Sequence, residues 1–368
     1  MRTQNQSVEV ASGAVRAFFL YDIADTIDLR RLRTVGGEGL APAHLRLRPH
    51  TSPAYLEFPT PPLVARLPDE PVGEMKAERR IKLFDYGVVS IRLSIPYSGP
   101  WQEFVRLAIA LRNSQDLSRA AERTMAQVRA EIQEALDDPH EPLIEDYFIA
   151  EVDRFAVTIS SADLESAHEA DLGALILGET EPLSQPHAAS ALRERFSYFT
   201  DDLTIVQWDA AFIYDRPESA EAIGDILEFA NSQLVELRTY DALLDRELDN
   251  IYAMQPGRRM PSLLSRRAAE QAGSLRYLIV DVLELTDRSS NALKIIGDAY
   301  YARIYRAAAA RLALEEWQRQ IDRKLNSVGE IYRFLNDQAR AGSGQFLEVV
   351  VIVLIVIEVV IGVLTLHR

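Results

Sequence analysis

The chain has 368 residues and a formal net charge of −15, with 48% hydrophobic and 26% charged residues. This size and composition suit a globular protein of two or three structural units. Cysteine is absent, which excludes disulfides, thiolate metal sites and cysteine nucleophiles and favours a reducing compartment. The first residues lack the apolar segment of a secretory signal.

The negative charge is concentrated in an acidic belt from Asp137 to Glu181. This belt contains thirteen acidic residues and one basic residue, Arg154. Such a surface repels phosphate backbones, so direct nucleic-acid binding is not expected. A solvated face that aids solubility is the simpler interpretation, and a basic protein partner is the alternative.

An α+β domain is predicted for residues 14–215, after a flexible N-terminus at residues 1–13. Val15–Tyr21 is apolar and aromatic and predicts a strand, while Asp22–Arg33 predicts a short helix. Ile81–Ile95 predicts a β-hairpin or bent strand with Gly87 at the turn.

Further elements of this domain follow from proline content and apolar spacing. Seven prolines between Pro49 and Pro71 exclude a regular helix there, so an extended edge segment is expected at Ala54–Phe58. A helix is expected over Trp101–Leu136, and strands are expected at residues 146–160, 203–208 and 211–214.

Residues 216–341 have the apolar spacing of long helices. Steps of three and four residues continue over about four heptads, and Pro256, Gly257 and Pro261 then end the first helix. We expect a long antiparallel helical hairpin that resembles a coiled coil. Spacing alone leaves a compact intramolecular bundle and an intermolecular coiled coil equally open. The predicted seam comprises Ile223, Leu227, Leu234, Leu237, Leu244, Leu248, Ile251, Leu275, Leu278, Val282 and Leu285.

A flexible break at 342–346 precedes an apolar segment at 347–366. Twenty helical residues span roughly 30 Å, the thickness of a bilayer core, so the sequence predicts one C-terminal transmembrane helix in contact with lipid. Basic residues before the segment predict a cytoplasmic N-terminus, with the protein on the cytoplasmic face of the inner membrane. Small and polar residues on one helix face predict homo-oligomerisation, with an ion pathway as the weaker alternative. That face comprises Val351, Ile355, Glu358, Gly362 and Thr365.

No motif in the chain indicates catalysis, so no catalytic, metal-binding or cofactor-binding residue and no cofactor is predicted. Paired acids between residues 137 and 153 leave a metal-dependent enzyme as one alternative. Four arginines near the expected hairpin tip leave a membrane tether for a ribosome or nucleic acid as another. These are Arg258, Arg259, Arg266 and Arg267.

Three segments occur in a distinctive order, namely Phe84–Val89 (FDYGVV), Leu237–Tyr252 and the closing apolar segment with Glu348 and Glu358. They resemble the required-for-meiotic-nuclear-division family, a domain of unknown function, and the chain looks like a bacterial member. Eukaryotic members are mitochondrial inner-membrane proteins linked to mitochondrial translation, so the resemblance implies a membrane-anchored, oligomeric role and carries over no catalytic residue. The sequence therefore predicts a membrane-anchored, non-enzymatic scaffold or assembly protein that oligomerises through its C-terminal helices.

Overall fold

The computed structural model describes residues 8–43, 60–253 and 298–331. The chain forms two compact units. The first consists of Met1–Thr239 and Leu285–Gln318, and the second of Tyr240–Glu284 and Arg319–Arg368.

The first unit is built on a nine-stranded sheet with the order β4-β5-β6-β7-β1-β8-β11-β10-β9. Neighbouring strands are antiparallel except β8 and β11, which are parallel. A separate two-stranded sheet joins β2 and β3. The strands are β1 (Glu9–Ile27), β2 (Thr34–Val35), β3 (Glu38–Gly39), β4 (Ala41–Pro42), β5 (Leu63–Val72), β6 (Met75–Leu83), β7 (Val88–Pro100), β8 (Leu136–Phe155), β9 (Arg195–Phe196), β10 (Leu203–Val206) and β11 (Ala210–Tyr214).

Helices follow β7, β8 and β11 along the chain. Single turns of 3-10 helix occur at Leu29–Arg31 and Gln133–Ala135. The helices are α1 (Trp101–Arg112), α2 (Asp116–Ile132), α3 (Ser161–Leu177), α4 (Gln185–Ala191), α5 (Pro217–Ala253), α6 (Ala299–Arg311) and α7 (314–331).

The two faces of the sheet are covered differently. On β1, Ala17, Phe19 and Tyr21 belong to an apolar core that also contains Phe104 of α1 and Met125 of α2. Because side chains alternate along a strand, the intervening residues of β1 point to the other face. That second face includes the buried Phe18 and Leu20 of β1, and it also meets α5 through charged side chains such as Arg16.

Trp101 marks the centre of the apolar core. Its side chain is buried, and its ring centroid lies 5.9 Å from those of Phe104, Phe155 and Phe212. The indole nitrogen donates a hydrogen bond of 2.9 Å to Asp171 of α3. One residue at the start of α1 thus joins two strands and a second helix.

Several predicted elements are confirmed. Val15–Tyr21 lies within β1, Ile81–Ile95 forms the β6–β7 hairpin with Gly87 in the turn, and strands occur at Leu203–Val206 and Ala210–Tyr214. The expected helix at 101–136 is present but is divided into α1 and α2.

The prediction of a helix at Asp22–Arg33 was wrong apart from the single 3-10 turn at Leu29–Arg31. β1 continues to Ile27 because its last residues pair with the start of β8, with Thr26 opposite Asp137. β1 also begins at Glu9, inside the segment expected to be flexible. The expected extended segment at Ala54–Phe58 lies outside the described residues.

The predicted membrane architecture requires correction. Among residues 8–43, 60–253 and 298–331, no helix is both long enough and apolar enough to cross a bilayer. The fold class with a C-terminal transmembrane helix, the tail-anchored description and the placement at the inner membrane are therefore not supported. Residues 347–366, with the predicted packing face Val351, Ile355, Glu358, Gly362 and Thr365, lie outside the described residues.

The long first helix of the predicted hairpin is present as α5, which has 37 residues. Within the second unit, Lys324 of α7 contacts Asp241 and Asp245 of α5, with its Nζ 2.6 Å from one carboxylate oxygen of each. Residues 254–297, which include the expected hairpin tip, lie outside the described part of the chain.

Candidate functional site

Four polar residues form a stripe along α5. Glu221, Asp225, Glu228 and Ser232 are separated by four, three and four residues, so they share one face of the helix. Each of them contacts a side chain from the sheet or from its β6–β7 turn. This polar stripe is the counterpart of the charged second face of the sheet.

The sheet contributes basic residues from three adjacent strands. Arg80 and Lys82 of β6 are two residues apart and therefore point to the same face. Arg80 lies opposite Arg92 of β7 in the strand register, and Arg16 of β1 lies opposite Ser94. Two arginines directly opposite each other repel, so this face requires an anion from outside the sheet.

Glu221 supplies that anion. Its carboxylate lies 2.9 Å from Arg16 Nη1 and 2.8 Å from Arg92 Nη1, and it also contacts Arg80. Burial alone would raise the pKa of Glu221, but the guanidinium groups of Arg92, Arg16 and Arg80 outweigh burial and lower this pKa to about 2. The start of α5 is thus fixed to β1, β6 and β7 by one carboxylate.

Lys82 repeats the arrangement in the opposite sense, with one cation between two anions. Its Nζ lies 2.8 Å from Asp225 Oδ1 and also contacts Glu228. Only 8% of the Lys82 side chain and 4% of the Glu228 side chain are exposed. Burial would lower the pKa of Lys82, but the two carboxylates outweigh it and raise the pKa.

Glu151 of β8 is the least compensated charge of this interface. Arg16 Nη2 donates to its Oε1 at 2.6 Å, whereas its Oε2 is buried without a hydrogen-bond partner in the described structure. Burial raises the pKa of Glu151 to about 8, with a further contribution from Asp153 and an opposing one from Arg16.

The β6–β7 turn completes the interface. The hydroxyl groups of Tyr86 and Ser232 form a hydrogen bond of 2.7 Å. Gly87 has φ +87°, and a Cβ there would lie 1.7 Å from the carbonyl oxygen of Ala24. The turn of the FDYGVV segment therefore needs glycine to bring Tyr86 under α5 while the backbone touches β1.

Two further ion pairs lie toward the end of β1 and the first half of β8. Arg238 of α5 contacts Glu145 of β8, and His140 Nε2 lies 3.4 Å from the buried Asp22 Oδ1. Burial would lower the pKa of His140, but its hydrogen bond and charge interaction with Asp22 raise it. Burial raises the pKa of Asp22, and its interactions with His140 and Thr239 oppose that rise.

The predicted seam residues fall into three groups. Ile223, Leu227, Leu234 and Leu237 are buried within the first unit, and Leu244 is buried within the second. Leu248 is half-buried. The side chain of Ile251 and residues Leu275, Leu278, Val282 and Leu285 lie outside the described part of the chain, so an intermolecular seam there stays a prediction.

The acids considered for metal binding lie along one strand. Asp137 and Asp138 occur near the start of β8, whereas Glu151 and Asp153 occur near its end. Within the described ranges, no group of three or more histidine, aspartate or glutamate side chains could hold a metal ion. Arg258, Arg259, Arg266 and Arg267 lie outside those ranges.

Sequence reasoning missed the polar stripe, although its signal was present. Acids at Glu221, Asp225 and Glu228 follow the same helical steps as the apolar seam, and Arg80 and Lys82 alternate along a strand. The apolar pattern of α5 predicted contacts with other helices only. Pairing the two polar patterns required the knowledge that α5 lies across β6 and β7.

Together, the fold and this interface define a sheet-rich α/β domain whose second face is closed by a long helix through buried ion pairs. The chain belongs to the family described as "Uncharacterized protein MJ0711, N-terminal domain", which matches residues 12–221. The family is of unknown function, and its match includes the sheet and the first turn of α5 with Glu221.

One relative is the "Uncharacterized protein MJ0711" of Methanocaldococcus jannaschii, which is 23% identical over 188 residues. The alignment covers 51% of this chain and 57% of the relative, so the chain matches little more than half of that protein's length. No solved structure matches the chain.

Proposed function

We propose that the protein is a non-enzymatic scaffold or assembly protein that self-associates through its helical region. The observation that carries the proposal is that the buried charges between the sheet and α5 are paired with one another. Lys82, Asp225 and Glu228 pair with one another beneath the helix, which suits them to holding α5 in place rather than to meeting a substrate.

The helix extends beyond the residues that the sheet holds. α5 continues from Thr239 to Ala253, and Leu248 in this part is half-buried. A helix with a fixed base and a partly exposed apolar position farther along suits association with a second copy. The exposed acids of the acidic belt are, within the same proposal, a surface for a basic protein partner.

The narrower resemblance to the required-for-meiotic-nuclear-division family is part of this proposal. Its FDYGVV segment forms the turn that places Tyr86 against Ser232 of α5. The position of this segment at the helix-holding interface supports a common structural role for it.

The test is the mass of the full-length protein in solution, measured by light scattering over a range of concentrations. One chain has a mass of 41.4 kDa, and we expect a multiple of it. Leu248→Glu should shift the mass toward that of one chain, because a charge at an apolar helix contact opposes association. Arg246→Glu, at an exposed position of the same helix, is the matched control and should leave the mass unchanged.

A single-chain mass at every concentration would contradict self-association. Circular dichroism of Leu248→Glu separates loss of association from loss of the fold, since an intact helical signal is expected. An oligomer that Leu248→Glu leaves unchanged would contradict the proposed role of α5.

A further inference from the structure

An open groove on the first unit lies between the edge strand β9 and α6. Its volume is about 430 Å³. We call it the arginine groove, and it is lined by Glu194, Phe196, Arg303, Arg306, Ala307, Ala310 and Arg311. Three of these seven residues are arginines from a single helix, in a protein whose net charge is −15.

The arginines of this groove have few acidic partners. Arg311 lies 4.0 Å from Glu194, at the outer limit of an ion pair. Arg303 and Arg306 are exposed, and neither forms an ion pair within residues 8–43, 60–253 and 298–331. The groove therefore has a net positive charge and two guanidinium groups available to an anion.

Helical spacing places Arg303 and Arg306 on one face of α6, whereas Arg311, five positions farther on, is turned by about 140° from Arg306. Residues 303, 306 and 311 are separated by three and five positions, so they cover about 12 Å along α6 at about 1.5 Å per residue. The guanidinium carbon of Arg303 also lies 5.5 Å from the centre of the Phe196 ring. A guanidinium held over a ring keeps its N–H edge directed outward, where it can donate to phosphate oxygens.

Aromatic side chains continue this surface at the start of α6. Tyr198 and Phe199, which follow β9, are 53% and 44% exposed. The Tyr198 ring lies 5.4 Å from that of Tyr300, the second residue of α6. Proteins that bind single strands without sequence preference combine exposed aromatic rings with nearby cations. Bases stack on the rings, and the cations pair with phosphates.

We infer that the arginine groove binds single-stranded nucleic acid, with Arg303 and Arg306 pairing with phosphates and Tyr198 stacking against a base. This inference departs from the expectation drawn from net charge. The acidic residues are concentrated between residues 137 and 181, whereas the field that a ligand meets in a groove is set by the nearest charges. An acidic peptide would satisfy the arginines but would not use the exposed rings.

The test is fluorescence anisotropy of the full-length protein with a labelled oligodeoxythymidine of about 15 nucleotides, close to the upper site size of one single-strand module. Two phosphate contacts predict a slope of about −1.4 in a plot of log affinity against log salt concentration. Replacing both Arg303 and Arg306 with Gln should weaken binding about tenfold or more, since charged hydrogen bonds are lost, and should bring the slope close to zero.

The matched control replaces both Arg66 and Arg119 with Gln. These arginines are 69% and 61% exposed and lie on β5 and α2, away from the edge strand β9. The control removes the same amount of charge as the double variant of the groove. Because this charge lies away from the groove, the affinity for the oligonucleotide should stay nearly unchanged. Tyr198→Ser should weaken binding while leaving the salt slope as it is, because stacking releases no counterions.

Three outcomes would overturn the inference. They are the absence of binding at low salt, equal weakening by the control pair, and a polyglutamate peptide that binds as tightly as the oligonucleotide and depends on the same arginines. The last result would assign the groove to an acidic protein. Unchanged thermal unfolding of the Arg303 and Arg306 double variant shows that a loss of binding is not a loss of the fold.

Discussion

Glu151 is a carboxyl group whose burial works against its charge. Its pKa in the folded protein is about 8, compared with 4.5 for an ordinary glutamate. An acid with a raised pKa favours the folded state fully below pH 4.5. That advantage is lost as pH rises from 4.5 through 8, because the unfolded chain ionises first.

We therefore expect Glu151→Gln to become more stable relative to the native protein as pH rises. The amide keeps an acceptor for Arg16 and carries no charge to bury. The gain in unfolding free energy at pH 8.5 relative to pH 4.5 should be on the order of 4 kcal/mol, measured by urea denaturation. Glu141→Gln, at an exposed position of the same strand, should show no such trend. A difference independent of pH would disprove the proposed titration.

Gly87 is required for a different physical reason, which is contact between two backbones. Gly87→Ala would place a Cβ 1.7 Å from the Ala24 carbonyl oxygen at a φ of +87°. We expect thermal denaturation to show a loss of about 3 kcal/mol or more, the range of severe steric and backbone effects.

Gly37 provides a matched comparison for Gly87. Its φ is +79°, and no atom lies within 4 Å of the point that a Cβ would occupy. Gly37→Ala should therefore cost only the backbone term, about 1–2 kcal/mol. Equal losses at the two positions would mean that backbone strain, and not the contact with Ala24, sets the requirement at Gly87.

At the scale of elements, the position of α5 depends on pairing charges that cannot reach water. Lys82→Met leaves Asp225 and Glu228 facing each other beneath the helix. Removal of one partner from a buried ion pair costs about 3–5 kcal/mol, and we expect this loss in denaturant unfolding. Arg66→Met, which removes a surface pair of 3.5 Å with Glu78, should cost less than about 0.5 kcal/mol.

A triple variant separates the role of pairing from that of packing. Lys82→Met combined with Asp225→Leu and Glu228→Leu removes all three charges and fills the same space with apolar atoms. Replacement of a complete buried ion group by apolar residues is often neutral, so most of the lost stability should return. A triple variant less stable than Lys82→Met alone would show that the ions stabilise α5 beyond compensating one another.

Across the described parts of the molecule, acidic and basic residues are clustered in separate regions, so the net charge does not describe any one surface. Acids dominate β8 and α3, paired ions lie between the sheet and α5, and arginines line the groove beside α6. The net charge of −15 conceals all three arrangements. The inference about single-stranded nucleic acid and the proposal of a scaffold each depend on one of these local fields.

Much of the fold was predictable from local pattern. The apolar run at Val15–Tyr21 predicted β1, the glycine within Ile81–Ile95 predicted the β6–β7 turn, and heptad spacing predicted a long helix at α5. These signals act over a few residues, where side-chain alternation and backbone preference decide the structure. The extension of β1 to Ile27 was missed because its partner begins far along the chain, at Leu136.

The candidate sites were far less predictable, because each joins segments distant in sequence. Local residue patterns are enough to predict that residues 216–253 form a long helix with an apolar side, and that Gly87 lies in a turn. What that helix covers became evident from the folded chain. Arg16, Lys82 and Arg92 gain their role from the placement of α5 across three strands, and Arg303 gains its role from lying beside Phe196. Coulomb energy depends on the distance between two charges in space and on their burial. The number of residues between them along the chain gives neither quantity.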